Sequence, residues 1–368
     1  MKYLDEYRAP EAITASLDRI RRKCSRRWVV MDVCGGQTHS LLKHGLEPAL
    51  EESLELLHGP GCPVCVTPAA VLDAATSLSL ERRVTLSSFG DMLRVPGRSG
   101  SLLQARARGG DVRTVYSPLD AVDWAVRHPE REVVFLAVGF ETTAPATALA
   151  ILQAQRSAVR NFSVLAHHVR VEPAMRQIAA DPAGRVQGFL AAGHVCTVTG
   201  YEEYHAFARE TGLPVVVTGF EPLDLLQGLE TCVELLESGR SEVVNAYARC
   251  ARPEGNPHAK RLLDAVFRVA DVPWRGLGVI PSGGLKIHSS LAKLDACERF
   301  GLTASDVEET SGECRSGEVL TGRLKPPDCP LFGNGCTPDT PRGAPMVSSE
   351  GACAAYFRYA LSGGRAHV

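Results

Sequence analysis

The sequence predicts an α/β protein, because short apolar, β-branched runs alternate with longer segments of helical periodicity through its first two thirds. This alternation is typical of a parallel sheet that is covered by helices. A Gly-Phe-Glu sequence follows two of the runs, at residues 139–141 and 219–221, and weakly indicates a repeat. We therefore predict two Rossmann-like parallel-sheet domains, related as halves, and a separate C-terminal domain. The predicted strands are residues 28–33, 84–87, 112–116, 133–138, 162–166, 188–192 and 215–218.

The chain of 368 residues is longer than the size at which one hydrophobic core usually stops growing. We predict an N-terminal helical segment over residues 1–24, an α/β domain over 25–118 and a second α/β domain over 119–240. A C-terminal domain over residues 241–368 follows, because the composition changes near residue 240. Residues 241–249 form a polar stretch with helical character, and residues 262–269 have helical spacing.

The charge balance excludes two classes of partner. A formal net charge of -2 gives no basic field that would gather nucleic acid or an anionic membrane by long-range attraction.

No secretory signal or membrane helix is predicted. Charged side chains between residues 1 and 13 interrupt the apolar core that a secretory signal requires. The longest apolar runs, such as residues 133–138, are far shorter than the roughly 20 residues of a membrane helix. We expect a cytoplasmic protein that binds neither nucleic acid nor membrane.

Twelve cysteines in a chain without an export signal favour metal binding or redox chemistry over disulfide cross-links, because cytosolic thiols are kept reduced. Four of them lie in a C-terminal segment that is rich in Gly and Pro and poor in apolar runs, so something besides a hydrophobic core must hold it. These four are separated by 14, 6 and 16 intervening residues. They are Cys314, Cys329, Cys336 and Cys353.

A single metal centre is the preferred interpretation of this set. Four thiolates bind tetrahedral zinc or an iron–sulfur cluster. Zinc sites usually contain close C-x-x-C pairs, and this set contains none, which favours iron–sulfur. Separate structural thiols are the alternative, although they leave the shortage of apolar residues unexplained.

One C-x-x-C pair, Cys62 and Cys65, lies within residues 59–65, just before a helix that is predicted from Pro68. Helix N-terminal amides lower the pKa of a thiol, an arrangement that dithiol redox motifs use. Half of a zinc site, or a tight turn with spare thiols, is the other interpretation of the pair. Five further cysteines have no partner at such a spacing and are expected to be ordinary thiols, including Cys196, which lies two residues after His194.

Cys34 and His39 lie in a glycine-rich turn that follows the predicted strand 28–33. Sulfur and imidazole at this spacing fit a partial metal site, a Cys–His nucleophile pair or a turn with a buried thiol. Because ligands bind beyond the carboxyl ends of strands in open α/β sheets, the turns after the strands are expected to converge. Other polar side chains near strand ends are explained singly by helix caps or bonds to backbone amides. They are Glu141, Thr142, Thr143, His167 and His168.

Five stretches of the chain together resemble one protein family. They are residues 33–39, 59–65, 139–145, 280–285 and 332–356, the last with the sequence Gly-Ala-Pro-Met-Val-Ser-Ser-Glu-Gly-Ala-Cys at 343–353. On these motifs the chain resembles the HypD family of nickel–iron hydrogenase maturation proteins over nearly its whole length. One position departs from the family pattern, because many members have histidine where this chain has Gln37, and an amide does not ligate iron as imidazole does.

The resemblance implies a three-domain α/β protein with a 4Fe–4S cluster whose ligands are the four C-terminal cysteines. It implies an assembly scaffold, rather than a conventional turnover enzyme, on which iron acquires two cyanides and one carbon monoxide. Cys34 is carried over as the thiolate that holds the iron, and His39 as its neighbour. The implied partners are a small chaperone, HypC, and a cyanide donor, HypE.

The same resemblance gives the dithiol a role. Cyanide is carried in the family as a thiocyanate on a cysteine, and its release as cyanide and thiolate takes two electrons. Cys62 and Cys65 would supply both electrons by closing to a disulfide, and the cluster would regenerate them one electron at a time. Glu350, three residues before Cys353, is expected to relay protons or to tune the cluster.

Two other functions remain open on the sequence. One is a general thiol–disulfide oxidoreductase with an iron–sulfur cluster, although a thioredoxin-like unit needs only about 100 residues, an ordinary domain size. The other is a zinc-stabilised binding module, which a brown iron–sulfur chromophore would exclude.

Overall fold

The computed structural model describes residues 5–302 and 313–360, and these form two β-sheets covered by helices. The strands are β1 (Trp28–Asp32), β2 (Leu54–His58), β3 (Val84–Ser88), β4 (Val112–Thr114), β5 (Glu132–Gly139), β6 (Phe162–Val169), β7 (Gly188–Ala192), β8 (Val215–Thr218), β9 (Val243–Asn245), β10 (Phe267–Trp274) and β11 (Gly278–Ile287). The α-helices are α1 (Pro10–Lys23), α2 (Gly35–Lys43), α3 (Leu46–Leu50), α4 (Ala69–Leu80), α5 (Leu102–Ala107), α6 (Pro118–Arg127), α7 (Ala144–Arg156), α8 (Val171–Ala179), α9 (Gly193–Thr199), α10 (Glu202–Thr211), α11 (Pro222–Glu237), α12 (Pro257–Val266), α13 (Ala296–Phe300), α14 (Ser316–Leu320) and α15 (Ala352–Tyr359).

The first sheet has five strands in the order β2-β1-β7-β8-β9, and every neighbouring pair in it is parallel. All of its carboxyl ends therefore lie along one edge. The second sheet has six strands in the order β10-β11-β6-β5-β3-β4. Its β6, β5, β3 and β4 are parallel, while β10 and β11 form an antiparallel hairpin that joins at β6. The α/β class predicted from the sequence is confirmed, with one parallel and one mixed sheet.

The path of the chain interleaves the two sheets. It builds β1 and β2 of the first sheet, then β3 to β6 of the second, returns for β7 to β9, and ends in the β10–β11 hairpin. The predicted boundary at residue 118 therefore falls between two strands of the six-stranded sheet, β4 and β5. The boundary at residue 240 falls between β8 and β9 of the five-stranded sheet. Whether the four predicted segments fold as separate domains stays a prediction.

The central parallel strands carry apolar side chains on both faces because both faces are covered. Val30 and Val216 pack in the core on one side of the five-stranded sheet, whereas Met31 and Val217, one position later, pack in the core on the other side. Since successive side chains of a strand point to opposite faces, only a continuous apolar run fills both cores. This is the pattern from which the strands were predicted.

All seven predicted strands are present, but four others were missed. The stretch 241–249, expected to be helical, contains β9, because Val243 and Val244 extend the sheet alongside β8. The helical spacing of residues 262–269 holds only to Val266, where α12 ends and β10 begins. His167 and His168 lie inside β6 rather than after it. The other missed strands are β2, β10 and β11.

The C-terminal part is held differently from the two sheets. Residues 313–360 contain two short α-helices, α14 and α15, joined mainly by turns. Small apolar clusters around Tyr356 and Met346 replace an extended core. Among the helices of residues 5–302 and 313–360, none has the length and apolarity needed to cross a membrane.

Candidate functional site

The turns that follow four neighbouring strands meet at the carboxyl edge of the five-stranded sheet. Cys34 follows β1 and the Cys62–Cys65 turn follows β2. His194 lies two residues after the end of β7, and Phe220 lies two residues after the end of β8. Because these strands are adjacent in the order β2-β1-β7-β8, their turns lie side by side.

Cys34 is the residue that precedes α2, and its thiol is buried beneath the adjoining turns. Burial raises the pKa of Cys34 to about 12, although the backbone amides of Gln37 and Gly36 favour its thiolate. The turn after β2 lies directly on it: the Gly35 amide donates to the Gly61 carbonyl at 2.8 Å. A Cβ atom at Gly61 would collide with the Cys34 backbone, so only glycine permits this approach.

His194 is the imidazole in contact with Cys34. Its Nδ1 lies 3.7 Å from the Cys34 sulfur. Burial lowers the pKa of His194 to about 4, so the ring is neutral at ordinary pH. The Phe220 ring lies beside the imidazole, with the two centroids 5.1 Å apart. His194 was not among the predicted site residues, although a histidine two positions after the predicted strand 188–192 was a usable signal.

His39 is directed to the C-terminal segment. Its Nδ1 lies 3.3 Å from the Ser349 carbonyl oxygen, and its Nε2 lies 3.1 Å from the Tyr359 hydroxyl. The Tyr359 ring meets the imidazole edge-on at a centroid distance of 5.1 Å. Both ring nitrogens are thus engaged by the segment that carries α15, and His39 fastens α2 to it. The structure brings His194, rather than His39, to the Cys34 sulfur.

Cys62 and Cys65 form a disulfide, with Cα atoms 5.3 Å apart. Both are almost fully buried, at 2% and 1% exposure. The helix predicted from Pro68 begins at Ala69, with Pro68 as its N-cap, so the pair precedes the helix N-terminus and neither cysteine lies within its first turn. The pair therefore lies beneath the surface, in the turn that covers Cys34.

The four C-terminal cysteines line one cavity, together with Phe332, Pro345 and other apolar residues. Burial raises the pKa of Cys353, and the nearby Cys314, Cys336 and Cys329 sulfurs raise it further. The Arg342 amide lies 3.4 Å from the Cys336 sulfur, in position to donate to it. Mutual proximity, a shared cavity and an amide directed at sulfur fit a cluster that is ligated by four cysteines.

A single metal ion has no such position in the described ranges. Within residues 5–302 and 313–360, no three His, Cys, Asp or Glu side chains surround one point at metal distance. The four cysteines border one shared cavity, and their role as cluster ligands stays a prediction.

A buried charge network lies under the Cys34 turn, and no sequence motif indicated it. His58, at the end of β2, lies 2.5 Å from Asp32 through Nδ1 and 3.2 Å from Glu47 through Nε2. Burial opposes its charge, but the two carboxylates raise the pKa of His58 to about 10. Tyr356 and Lys325, both from the C-terminal part, donate to Glu47. The network therefore joins β1 and β2 to the cysteine-rich segment.

Gln37 holds the ends of two strands together. Its side chain is fully buried, and its Nε2 donates to the Ala191 carbonyl at 3.1 Å and the Thr218 carbonyl at 3.3 Å. These carbonyls lie at the ends of β7 and β8, just before the turns that carry His194 and Phe220. The residue that departs from the family pattern thus positions the backbone of the site.

Glu350 lies where the C-terminal segment touches the Cys34 turn. A Cβ atom at Gly35 would collide with the Glu350 carbonyl and Cβ, so the two turns are in close contact. Partial desolvation and the negative charge of Asp91 raise the pKa of Glu350. The acidic side chain also adds to the forces that keep the Cys34 thiol protonated.

The polar residues at the end of β5 belong to the other sheet. Glu141 is buried and accepts a hydrogen bond of 2.9 Å from the Val171 amide, at the start of α8. His168 lies 3.1 Å from the Thr147 hydroxyl. The Glu141 contact is a bond to a backbone amide, as expected for this residue singly, whereas His168 contacts a side-chain hydroxyl.

Comparison with known proteins places the chain among close relatives. The family model HypD, described as the hydrogenase formation hypA family, matches residues 11–360. The hydrogenase maturation factor HypD of Escherichia coli (strain K12) is 45% identical over 367 residues, covering 98% of each chain. The HypD factor of Rhodobacter capsulatus is 44% identical over 371 residues, again covering 98% of each. That of Azotobacter vinelandii is 46% identical over 369 residues, covering 98% of this chain and 97% of its own.

Proposed function

The chain belongs to the HypD family of hydrogenase maturation factors, as its motifs predicted, and on this premise we propose that Cys34 holds an iron ion while diatomic ligands are attached to it. The iron is the cargo of this scaffold and receives two cyanides and one carbon monoxide. A HypC-type chaperone and a HypE-type cyanide donor are the proposed partners. The observation that carries the proposal is the meeting of Cys34, His194 and the Cys62–Cys65 pair at one sheet edge.

The Cys62–Cys65 pair is proposed as the electron source for cyanide transfer. A thiocyanate sulfur–carbon bond breaks when two electrons enter it, giving a thiolate and cyanide. The reduced pair supplies these electrons as its two thiolates form the sulfur–sulfur bond, so charge and atoms balance. Its position against Cys34 supports this role, because the Gly61 backbone that precedes the pair contacts the Cys34 backbone.

The cavity lined by Cys314, Cys329, Cys336 and Cys353 is proposed to hold a 4Fe–4S cluster. When bound, such a cluster supplies single electrons. The surrounding chain contributes the four sulfurs, an amide directed at Cys336 and an apolar lining that limits water.

Infrared spectroscopy on the chain purified with its chaperone tests the central residue. We expect Cys34→Ala to abolish the cyanide and carbonyl stretching bands, because the thiolate is the soft ligand of this turn. The brown chromophore should be retained. Cys232→Ala is the matched control, since Cys232 is an equally buried thiol in the core behind the sheet, and it should keep all bands. Bands that persist in Cys34→Ala would show that iron is held elsewhere.

The disulfide alone favours a second candidate, a general thiol–disulfide oxidoreductase. Its burial argues against that activity, because generic protein disulfides have poor access to sulfurs that are 2% and 1% exposed, whereas the proposed cyanide donor is a specific partner. We expect reduction of insulin by the full chain with dithiothreitol to be no faster than with a Cys62→Ser/Cys65→Ser variant. Turnover clearly above that variant would favour the general oxidoreductase.

A further inference from the structure

We propose that His194 is a second protein ligand of the iron that Cys34 holds, binding through Nδ1. This inference rests on the proposed function and adds a residue to it. It assigns the site a sulfur and a nitrogen from turns that follow two neighbouring strands, β1 and β7.

The distance between the two atoms fits one metal ion. A divalent first-row ion such as zinc binds cysteine sulfur at about 2.3 Å and imidazole nitrogen at about 2.0 to 2.1 Å. At a tetrahedral angle these bond lengths place sulfur and nitrogen about 3.6 Å apart. The Cys34 sulfur and His194 Nδ1 are 3.7 Å apart, a separation that one ion can bridge at ordinary bond lengths.

The backbone just before His194 is held by close packing. Gly193 packs so closely on the Thr218 carbonyl and the Tyr247 ring that a Cβ atom would collide with both. Gln37 fixes the same carbonyl and that of Ala191. Ligands carried by strand ends and locked by packing keep their geometry better than ligands on free loops.

Phe220, in the turn after β8, contacts the site from the side opposite β1. Its ring lies beside the His194 imidazole, and a Cβ atom at Gly36 would touch it at 3.2 Å. The aromatic ring therefore lies against both the histidine and the turn of Cys34. His194 remains partly exposed, and two protein ligands leave the other coordination positions for small ligands.

The two donor types also suit the cargo. Thiolate and imidazole are both accepted by ferrous iron, and the pair is softer than a carboxylate set. His39, the imidazole chosen from sequence, has both ring nitrogens engaged by Ser349 and Tyr359. It would have to break these contacts to reach the same ion.

Anaerobic titration of the full chain with Co²⁺ tests the assignment. The signal is the thiolate-to-cobalt absorption that is present in the wild type and lost in Cys34→Ala. We expect His194→Gln to retain this absorption but to bind Co²⁺ at least tenfold more weakly, with altered ligand-field bands. His205→Gln is the matched control, a partly buried imidazole beside Tyr201 on α10, and should bind as the wild type does.

The outcomes separate the two proposals. Absence of any Cys34-dependent absorption in the wild type would overturn Cys34 as the iron holder. A Cys34-dependent absorption with unchanged affinity in His194→Gln would overturn only the role of His194, and weakening in His39→Gln instead would assign the ligand to His39. X-ray absorption of cobalt in the wild-type chain supplies a measurement without substitution, since imidazole scattering must be present.

Discussion

At the scale of single residues, His58 governs the pH dependence of the region under Cys34. Its folded pKa of about 10 lies above the unfolded value of about 6.5, so its charge stabilises the fold fully below pH 6.5. That contribution is lost as the pH rises toward 10. Glu47 has the opposite sign: its pKa is lowered to about 2, so its contribution is fully present above its unfolded pKa of about 4.5 and is lost as the pH falls toward 2.

We expect His58→Gln to lower the free energy of unfolding at pH 7 by about 3 to 5 kcal/mol, because it leaves two buried carboxylates without their cation. The difference from the wild type should shrink between pH 7 and 10. Thermal unfolding followed by circular dichroism across this range measures it. His128→Gln, at a partly exposed histidine, is the control, and a difference that stays constant with pH would contradict the assignment.

The cysteines near the candidate site were easier to select from the sequence than its histidines and charged residues. Cys34, Cys62 and Cys65 stood out because cysteine is rare and their spacing carries chemistry. His194 and His58 each follow an apolar run by one or two positions, but their roles depend on which strands are neighbours. That pairing is made by residues distant along the chain, and no local pattern reports it.

At the scale of elements, the segment over residues 313–360 has little apolar support of its own. We expect Cys329→Ala and Cys336→Ala each to reduce bound iron from about four per chain, to bleach the brown colour and to loosen this segment. Metal binding in such segments contributes directly to folding. Iron assay, visible absorption and limited proteolysis measure the three effects.

Cys250→Ala is the control for these variants, because Cys250 is exposed and lies outside the cavity. It should keep its iron, its colour and its resistance to protease. Full iron content in both Cys329→Ala and Cys336→Ala would exclude these residues as ligands.

The strands that were missed are those with weak local signals. β9 has three residues and a polar surrounding, and it becomes a strand only through its register with β8. β11 contains Pro281, Gly283 and Gly284, which oppose a strand assignment, yet it pairs with β10 and reaches β6. Strands that are covered on both faces were predicted well, because they need apolar residues at successive positions. Short edge strands and hairpins do not need such a continuous apolar run.

At the scale of the whole molecule, Tyr356 ties the C-terminal segment to the five-stranded sheet. Its hydroxyl lies 2.6 and 2.8 Å from the two Glu47 oxygens. We expect Tyr356→Phe to cost about 1.5 to 3 kcal/mol, the range for a hydrogen bond to a charged group. Protease should then cut residues 313–360 sooner than in the wild type, as mass spectrometry of the fragments will show.

Tyr116→Phe serves as the control, because Tyr116 is 94% exposed and its hydroxyl has little to lose. It should unfold and digest as the wild type does. If Tyr356→Phe behaves identically to this control, the network does not hold the segment in place.

The interleaved arrangement of the two sheets could not be predicted from the sequence. Domain boundaries were inferred from changes in composition, and the composition does not change where the chain passes from one sheet to the other.

Because the chain passes from the first sheet to the second and back, the strands of the first sheet cannot all pair until late in translation. β1 and β2 leave the ribosome early, but Val30 of β1 must wait for Gly188 before its second edge is paired. At about 5 to 20 residues per second, the delay is roughly 8 to 30 seconds. The parallel strands β3 to β6, contiguous along the chain, are complete before then. The middle of the nascent chain is therefore expected to fold first, while the segment that bears Cys34 stays unfinished and depends on chaperones for protection.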